Sequence, residues 1–327
     1  MTTETTETAK PGERAALLAA RQLIAEGRLA QARTALDAMR DGLTARSTDT
    51  LGPLTLLGMP RKLHAAFLKL AKAEGDVIAR IGLQYTLVPE AERIIRHFRI
   101  DDATLERMVA QTSRPVPRKI HQIWIGPRPV PVAAAAWQRH AEATGYDYAL
   151  WREDDLRAIG IYGHAVFQSL LDEGDYPGAV DVARYLILAK EGGIYLDCDW
   201  YPASMQAAFH TLLPLVGLSA LAEQTPRDLA GESLLFTNSF IAAPPAHPLF
   251  DILLDALPGV MADLPGAPAW WVTGPVIFTL LARMTIVTVP DKGFVAANLP
   301  RGTEMRDVLE TASHPGPSGL LIGWKSW

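Results

Sequence analysis

The stretch Glu191-Gly192-Gly193-Ile194-Tyr195-Leu196-Asp197-Cys198-Asp199-Trp200 decides how the rest of the chain is read. A Gly pair stops a helix, a short apolar strand follows, and two aspartates close it. Side chains alternate along a strand, so this reading sends Asp197 and Asp199 to one side and Cys198 to the other. Two carboxylates converging at a strand's carboxyl end suit a hard divalent cation, Mg2+ or Mn2+, which keeps positions open for phosphate oxygens. Taken alone, an Asp-x-Asp reads as a solvated strand end or turn.

Immediately upstream, Asp181-Val182-Ala183-Arg184-Tyr185-Leu186-Ile187-Leu188-Ala189-Lys190 has helical periodicity, with Ala179, Ala183, Leu186, Ile187 and Lys190 on one side. Asp181 and Arg184 lie three apart on another side and are neighbours there. Read locally they are a surface ion pair worth a few tenths of a kcal/mol. Read with the aspartates, Arg184 faces phosphate and Asp181 faces sugar hydroxyls. Further out, Lys119-Ile120-His121-Gln122-Ile123-Trp124-Ile125-Gly126 is a largely apolar run that suits a buried strand of a parallel sheet. A helix over residues 133–144, a strand over 146–151 and a helix opening at Arg152 follow. That order predicts right-handed βαβ crossovers and a nucleotide at the strands' carboxyl ends. Read by itself, Trp124 belongs to the core.

Asp181-x-x-Arg184 followed by Gly192-Gly193-x-Tyr195-x-Asp197-x-Asp199 resembles the core of the DXD-containing sugar transferases of the mannosyltransferase-like group, glycosyltransferase family 32. That group is related to the glucosylating domains of the large clostridial toxins. Ile-His-Gln-Ile-Trp-Ile-Gly at 120–126 is a second match, Asn238-Ser239-Phe240, Thr273-Gly274-Pro275 and the closing Ser326-Trp327 are further ones. The resemblance implies an α/β fold of GT-A type with a mainly parallel central sheet. It implies that Asp181, Arg184, Asp197 and Asp199 are catalytic, with Asp199 and Asp197 holding Mn2+ or Mg2+. It further implies donor contacts from Ile123, Trp124, Ile125, Tyr195, Asn238, Ser326 and Trp327. The pattern departs at one place: relatives carry a histidine shortly before Ser-Trp, where this chain has Leu321 and Ile322, and His314 is the nearest alternative.

Composition agrees with a soluble globular protein, apolar residues making up 49% and charged residues 20% of the 327. A formal charge of -5 gives no basic footprint for nucleic acid, and one cysteine excludes an internal disulfide. The long uncharged runs at 200–222 and 264–282 are broken by prolines, so no membrane span is predicted. No signal peptide opens the sequence, and a cytoplasmic setting is expected. Residues 1–12 are predicted to be a disordered tail and 13–113 a helical subdomain holding an αα-hairpin and a helix ending at Gly75. Past the Pro-broken residues 114–118, residues 117–327 form the transferase domain. The expected function is metal-dependent, retaining transfer of a sugar from a UDP- or GDP-sugar to a hydroxyl acceptor, a small natural product of bacterial type. A protein-glycosylating effector and a catalytically silent nucleotide-sugar-binding module are the alternatives. The oligomeric state stays open.

Overall fold

The computed structural model describes residues 12–222, 235–313 and 319–327, so the expected tail, apart from Gly12, and His314 lie outside the described residues. The chain divides into two compact units, one ending at Arg93 and taking in Ala262–Ala267, the other made of Ile94–Met261 and Pro268–Trp327. Residues 94–113 thus group with the second unit, although the sequence reading placed them with the helices before it. Long-range hydrogen bonds account for this. Gln111 Nε2 donates to the Ala246 carbonyl at 3.1 Å and Gly217 N–H donates to the Arg114 carbonyl at 2.9 Å.

The first unit is helical. Helices Glu13–Ala25 and Leu29–Asp41 form the expected hairpin, and Arg61–Glu74 ends at Gly75 in the left-handed region. Leu17, Ala20, Ile24, Ala32, Leu36, Leu63, Phe67 and Leu70 share one apolar core. His64, buried there, binds the Thr55 hydroxyl at 2.7 Å and the Leu83 carbonyl at 2.9 Å, which satisfies both ring nitrogens. A further helix, Val77–Thr86, is capped by Asp76 accepting from Ala79 N–H.

The second unit is built on strands β1 (Lys119–Ile123), β2 (Asp147–Trp151), β3 (Gly193–Leu196), β4 (Trp200–Pro202), β5 (Leu218–Ala222), β6 (Phe236–Ala243), β7 (Val287–Thr288), β8 (Val295–Asn298) and β9 (Leu321–Gly323). The main sheet has the order β2-β1-β3-β6-β5-β7. β1 runs parallel to β2 and β3, and β7 runs parallel to β5, while β6 opposes both β3 and β5. Every strand of this sheet but β6 therefore points one way, and the predicted α/β fold with a mainly parallel central sheet is borne out. A smaller sheet, β4-β9-β8, stands beside it.

Helix Tyr176–Glu191 feeds β3 through the Gly pair. Gly192 and Gly193 have φ of 62° and 98°, a region that costs any side chain. Space is the second constraint: a Cβ on Gly192 would lie 2.6 Å from Pro245 N, and one on Gly193 2.8 Å from the Lys119 carbonyl. The helix thus ends tightly against the sheet, and β3 starts in register with β1.

Candidate active site

The aspartates sit at the carboxyl ends of the parallel strands, but not on a strand. β3 stops at Leu196, and Trp200 N–H donates to the Asp197 carbonyl at 3.2 Å, so residues 197–200 form a tight turn into β4. Strand alternation therefore does not place the two carboxylates, which corrects the reasoning from sequence. Aspartate favours turns because its short side chain competes for nearby backbone groups, and here that preference wins over strand continuation. Cys198 still points away: buried, its thiol donates to the Ile123 carbonyl at 3.4 Å, and burial pushes its pKa well up. That bond ties the turn to the end of β1.

Asp197 accepts from the Tyr195 hydroxyl at 2.7 Å and pairs with Arg184 Nη1 at 3.2 Å, both through Oδ1. Its backbone is held as well, its N–H donating to the Ser239 carbonyl at 2.9 Å. Among the described residues Asp199 has no such pair. Burial, and the Asp197 charge beside it, push its pKa up to about 7, with Lys325 drawing it back. A buried carboxyl group whose proton affinity is raised by the carboxylate beside it forms a site that favours a cation.

Asp181 and Arg184 are not a surface pair. Helix Tyr176–Glu191 is buried on most sides, leaving Asp181 7% and Arg184 4% exposed. Arg184 Nη2 meets Asp181 Oδ1 at 2.9 Å, its Nη1 also donates to the Asn238 carbonyl, and the guanidinium lies 4.4 Å over the Tyr195 ring. Asp181 further accepts from the Asn238 amide and the Thr273 hydroxyl, each at 2.8 Å. Burial raises its pKa despite the Arg184 charge. The local reading of a weak exposed pair is corrected: one guanidinium bridges two carboxylates in low dielectric, where such contacts matter far more. Tyr195 is buried behind Asp197, and the Asn238 amide is engaged by Asp181 and by the Tyr185 hydroxyl at 3.1 Å.

Strand β1 supplies two ties that the sequence reading passed over as buried strand. The Trp151 indole donates to His121 Nδ1 at 3.1 Å, so Nε2 carries the proton and donates to the Gly192 carbonyl at 2.9 Å. Burial lowers the His121 pKa to about 4, which keeps the ring neutral. On the opposite face Gln122 Nε2 donates to the Asp197 carbonyl at 3.2 Å, while its oxygen accepts from Tyr148 at 2.9 Å. One residue grips the start of β3 and the next grips its end. A polar residue inside an apolar run was the available signal, since buried polar groups need partners.

The chain's last residues reach the same edge. β9 pairs with β4, Trp200 opposite Gly323, which sets Trp324 beside Asp199; Trp324 N–H donates to the Asp199 carbonyl at 2.7 Å. Trp327 meets Trp124 edge to face, ring centroids 4.9 Å apart. Trp124, just past β1, is half-buried, and its indole donates to the Arg128 carbonyl at 2.9 Å. Ile123 and Ile125 on either side of it are buried, and Ser326 is exposed. The structure thus gathers Asp197, Asp199, Trp124, Ser326 and Trp327 at one edge, backed by Asp181, Arg184, Tyr195 and Asn238. Leu321 and Ile322, where the resemblance would set a histidine, are fully buried in β9.

Among the described residues no three His, Cys, Asp or Glu side chains converge as metal ligands. Two carboxylates alone nevertheless fit Mg2+ or Mn2+, which take one or two protein carboxylates and fill the rest with water and substrate phosphate. None of the described helices is long and apolar enough to cross a membrane.

Residues 145–209 match the family model described as a glycosyltransferase sugar-binding region containing a DXD motif. Two proteins of Schizosaccharomyces pombe are similar in sequence. Inositol phosphoceramide mannosyltransferase 3 is 26% identical over 191 residues, 56% of this chain and 49% of that protein. Inositol phosphoceramide mannosyltransferase 1 is 26% identical over 146 residues, 41% of this chain and 40% of that protein. The chain therefore aligns with about half, or less, of the length of these relatives. Among solved structures, PaToxG glycosyltransferase superposes with a TM-score of 0.42 at 18% identity, covering 59% of this chain and 77% of that one. The matched region contains the helix, the Gly pair and the aspartate turn, and the resemblance read from them is borne out.

Proposed function

From the DXD-containing glycosyltransferase sugar-binding region that this chain carries, we propose that the protein is a metal-dependent, retaining glycosyltransferase that moves a sugar from a UDP- or GDP-sugar to a hydroxyl acceptor. The observation that carries the reading is the turn Asp197–Asp199, two carboxylates at the carboxyl ends of the parallel strands, with Trp324 bonded to the Asp199 carbonyl and Trp327 packed on Trp124. Asp199 and Asp197 would hold Mn2+ or Mg2+, which supplies Lewis acidity to the departing diphosphate.

The chain's own residues do the rest. Arg184 fixes the Asp197 carboxylate and Asp181 together with its field, so that the turn is rigid before the donor arrives. Asp181, hydrogen-bonded by Thr273 and Asn238, orients the donor sugar's hydroxyls. Trp124 receives the base, and Ser326 and Trp327 lie over the diphosphate and keep water from the sugar carbon as it develops positive charge. The acceptor oxygen bonds to that carbon on the face the diphosphate leaves, and its proton passes to the departing phosphate oxygen. The Asp197 and Asp199 carboxylates are read as the cation site and not as a nucleophile pair, so double displacement is not proposed.

A soluble small molecule remains the favoured acceptor, in a cytoplasmic setting. The names of the two relatives add an inositol phosphoceramide as the rival acceptor and mannose as a rival sugar. Incubation of the protein with Mn2+ and UDP-glucose, UDP-galactose or GDP-mannose tests the reading by release of UDP or GDP. Turnover that disappears in Asp199→Ala, with circular dichroism unchanged, supports it. Turnover retained in that variant removes the turn from the mechanism, and donor binding without turnover in the presence of acceptors assigns a silent binding module.

A further inference from the structure

The charges at the site do not balance once a donor is bound. Asp181, Asp197 and Asp199 face one guanidinium and, under the proposed function, one divalent ion; together these are neutral, and the diphosphate ester then adds two negative charges. Arg184 is not available to oppose them. It is 4% exposed and engaged with Asp181, Asp197 and the Asn238 carbonyl, and turning it toward phosphate would leave two carboxylates without their cation.

Lys325 is the cation placed to do so. The backbone before it is anchored, since Trp324 N–H is bonded to the Asp199 carbonyl at 2.7 Å and the buried Trp324 indole donates to the Thr303 carbonyl at 3.0 Å. The residue after next, Trp327, lies against Trp124. Lys325 itself is exposed, its Nζ 5.4 Å over the Trp327 ring, and among the described residues no carboxylate is within ion-pair distance of it. The Trp324 bond to the Asp199 carbonyl sets Lys325 next in the chain to a residue held at that aspartate. A divalent ion at the aspartate turn would repel the ammonium from that carboxylate, and the donor's phosphates are the anion within its reach.

Resting on the sugar-transfer reading, we infer that Lys325 contacts the distal phosphate of the donor and carries leaving-group charge that the engaged Arg184 does not meet. The lysine is thus a catalytic residue on the closing tail, and it works on diphosphate and not on the base. Its removal affects ligands according to their phosphate number. Were Lys325 only a prop for the Trp327 ring, all nucleotides would lose affinity alike.

The test measures binding of UDP and UMP, and of GDP and GMP, to the full chain with Mn2+, in wild type, Lys325→Met and Lys325→Arg. Lys325→Met is expected to weaken the diphosphate about tenfold or more, the range of a hydrogen bond to a charged group, and to leave the monophosphate unchanged. Lys325→Arg restores most of the loss, and donor turnover falls in kcat in the same order. Equal losses for mono- and diphosphate, or none for either, overturn the assignment of Lys325 while leaving the transfer reading intact. A wild-type protein that binds no nucleoside diphosphate and turns over no nucleotide sugar overturns both.

Discussion

Replacing Arg184 by methionine separates a buried bridge from a surface pair. The guanidinium sits between Asp181 Oδ1 at 2.9 Å and Asp197 Oδ1 at 3.2 Å and is 4% exposed. Methionine fills the stem's volume and removes only the charge and its donors. Asp181 then keeps two neutral donors, Asn238 and Thr273, and no cation. Leaving a buried charge uncompensated costs about 3–5 kcal/mol, against about 0.3–0.5 kcal/mol for an exposed helix pair. Urea unfolding at pH 7, followed by tryptophan fluorescence, reads the difference from the midpoint and slope. The double variant Asp181→Asn with Arg184→Met removes both charges, and it should be destabilised by about 1–3 kcal/mol less than the sum of the single variants. An Arg184→Met protein within about 1 kcal/mol of wild type would refute the buried bridge, since that is the exposed-pair result.

Two further outcomes follow from the same geometry. Gly193→Ala puts a Cβ 2.8 Å from the Lys119 carbonyl and 3.0 Å from His121 Nε2 at φ 98°, so it should cost about 2 kcal/mol or more and lower the melting temperature; an unchanged Tm contradicts the close approach of β3 to β1. The Asp181 pKa is raised to about 6 from 3.8, so the folded state binds this proton more tightly than the unfolded chain does. That contribution to stability is present in full below pH 4 and is lost as pH rises through 6. Between pH 4 and 7 the stability of Asp181→Asn relative to wild type should therefore rise by on the order of 3 kcal/mol, and a flat difference rejects the burial of a charged Asp181.

Much of this protein was legible in the order of its residues. Gly192-Gly193 marked the end of a helix and the start of a strand because only glycine tolerates those backbone angles. The apolar run around Ile120 and Ile123 announced a parallel strand, and Asp197 with Asp199 marked the carboxyl end of another as a candidate cation site. These are local signals, carried by residues within a few positions of one another. Tertiary structure alone decided the rest: that the aspartates lie on a turn and not a strand, that Arg184 is enclosed between two carboxylates, that Gln122 grips the carbonyl of Asp197, and that β9 lays Trp324 and Lys325 beside Asp199. The Gln122 tie to Asp197 and the pairing of β9 with β4 join residues far apart in the chain, and periodicity holds no information on which distant strand a strand will pair with. A charged pair three apart on a helix reads the same whether water or another carboxylate waits beyond it; only the packing of the helix against the sheet determines the dielectric, and with it what the pair can do.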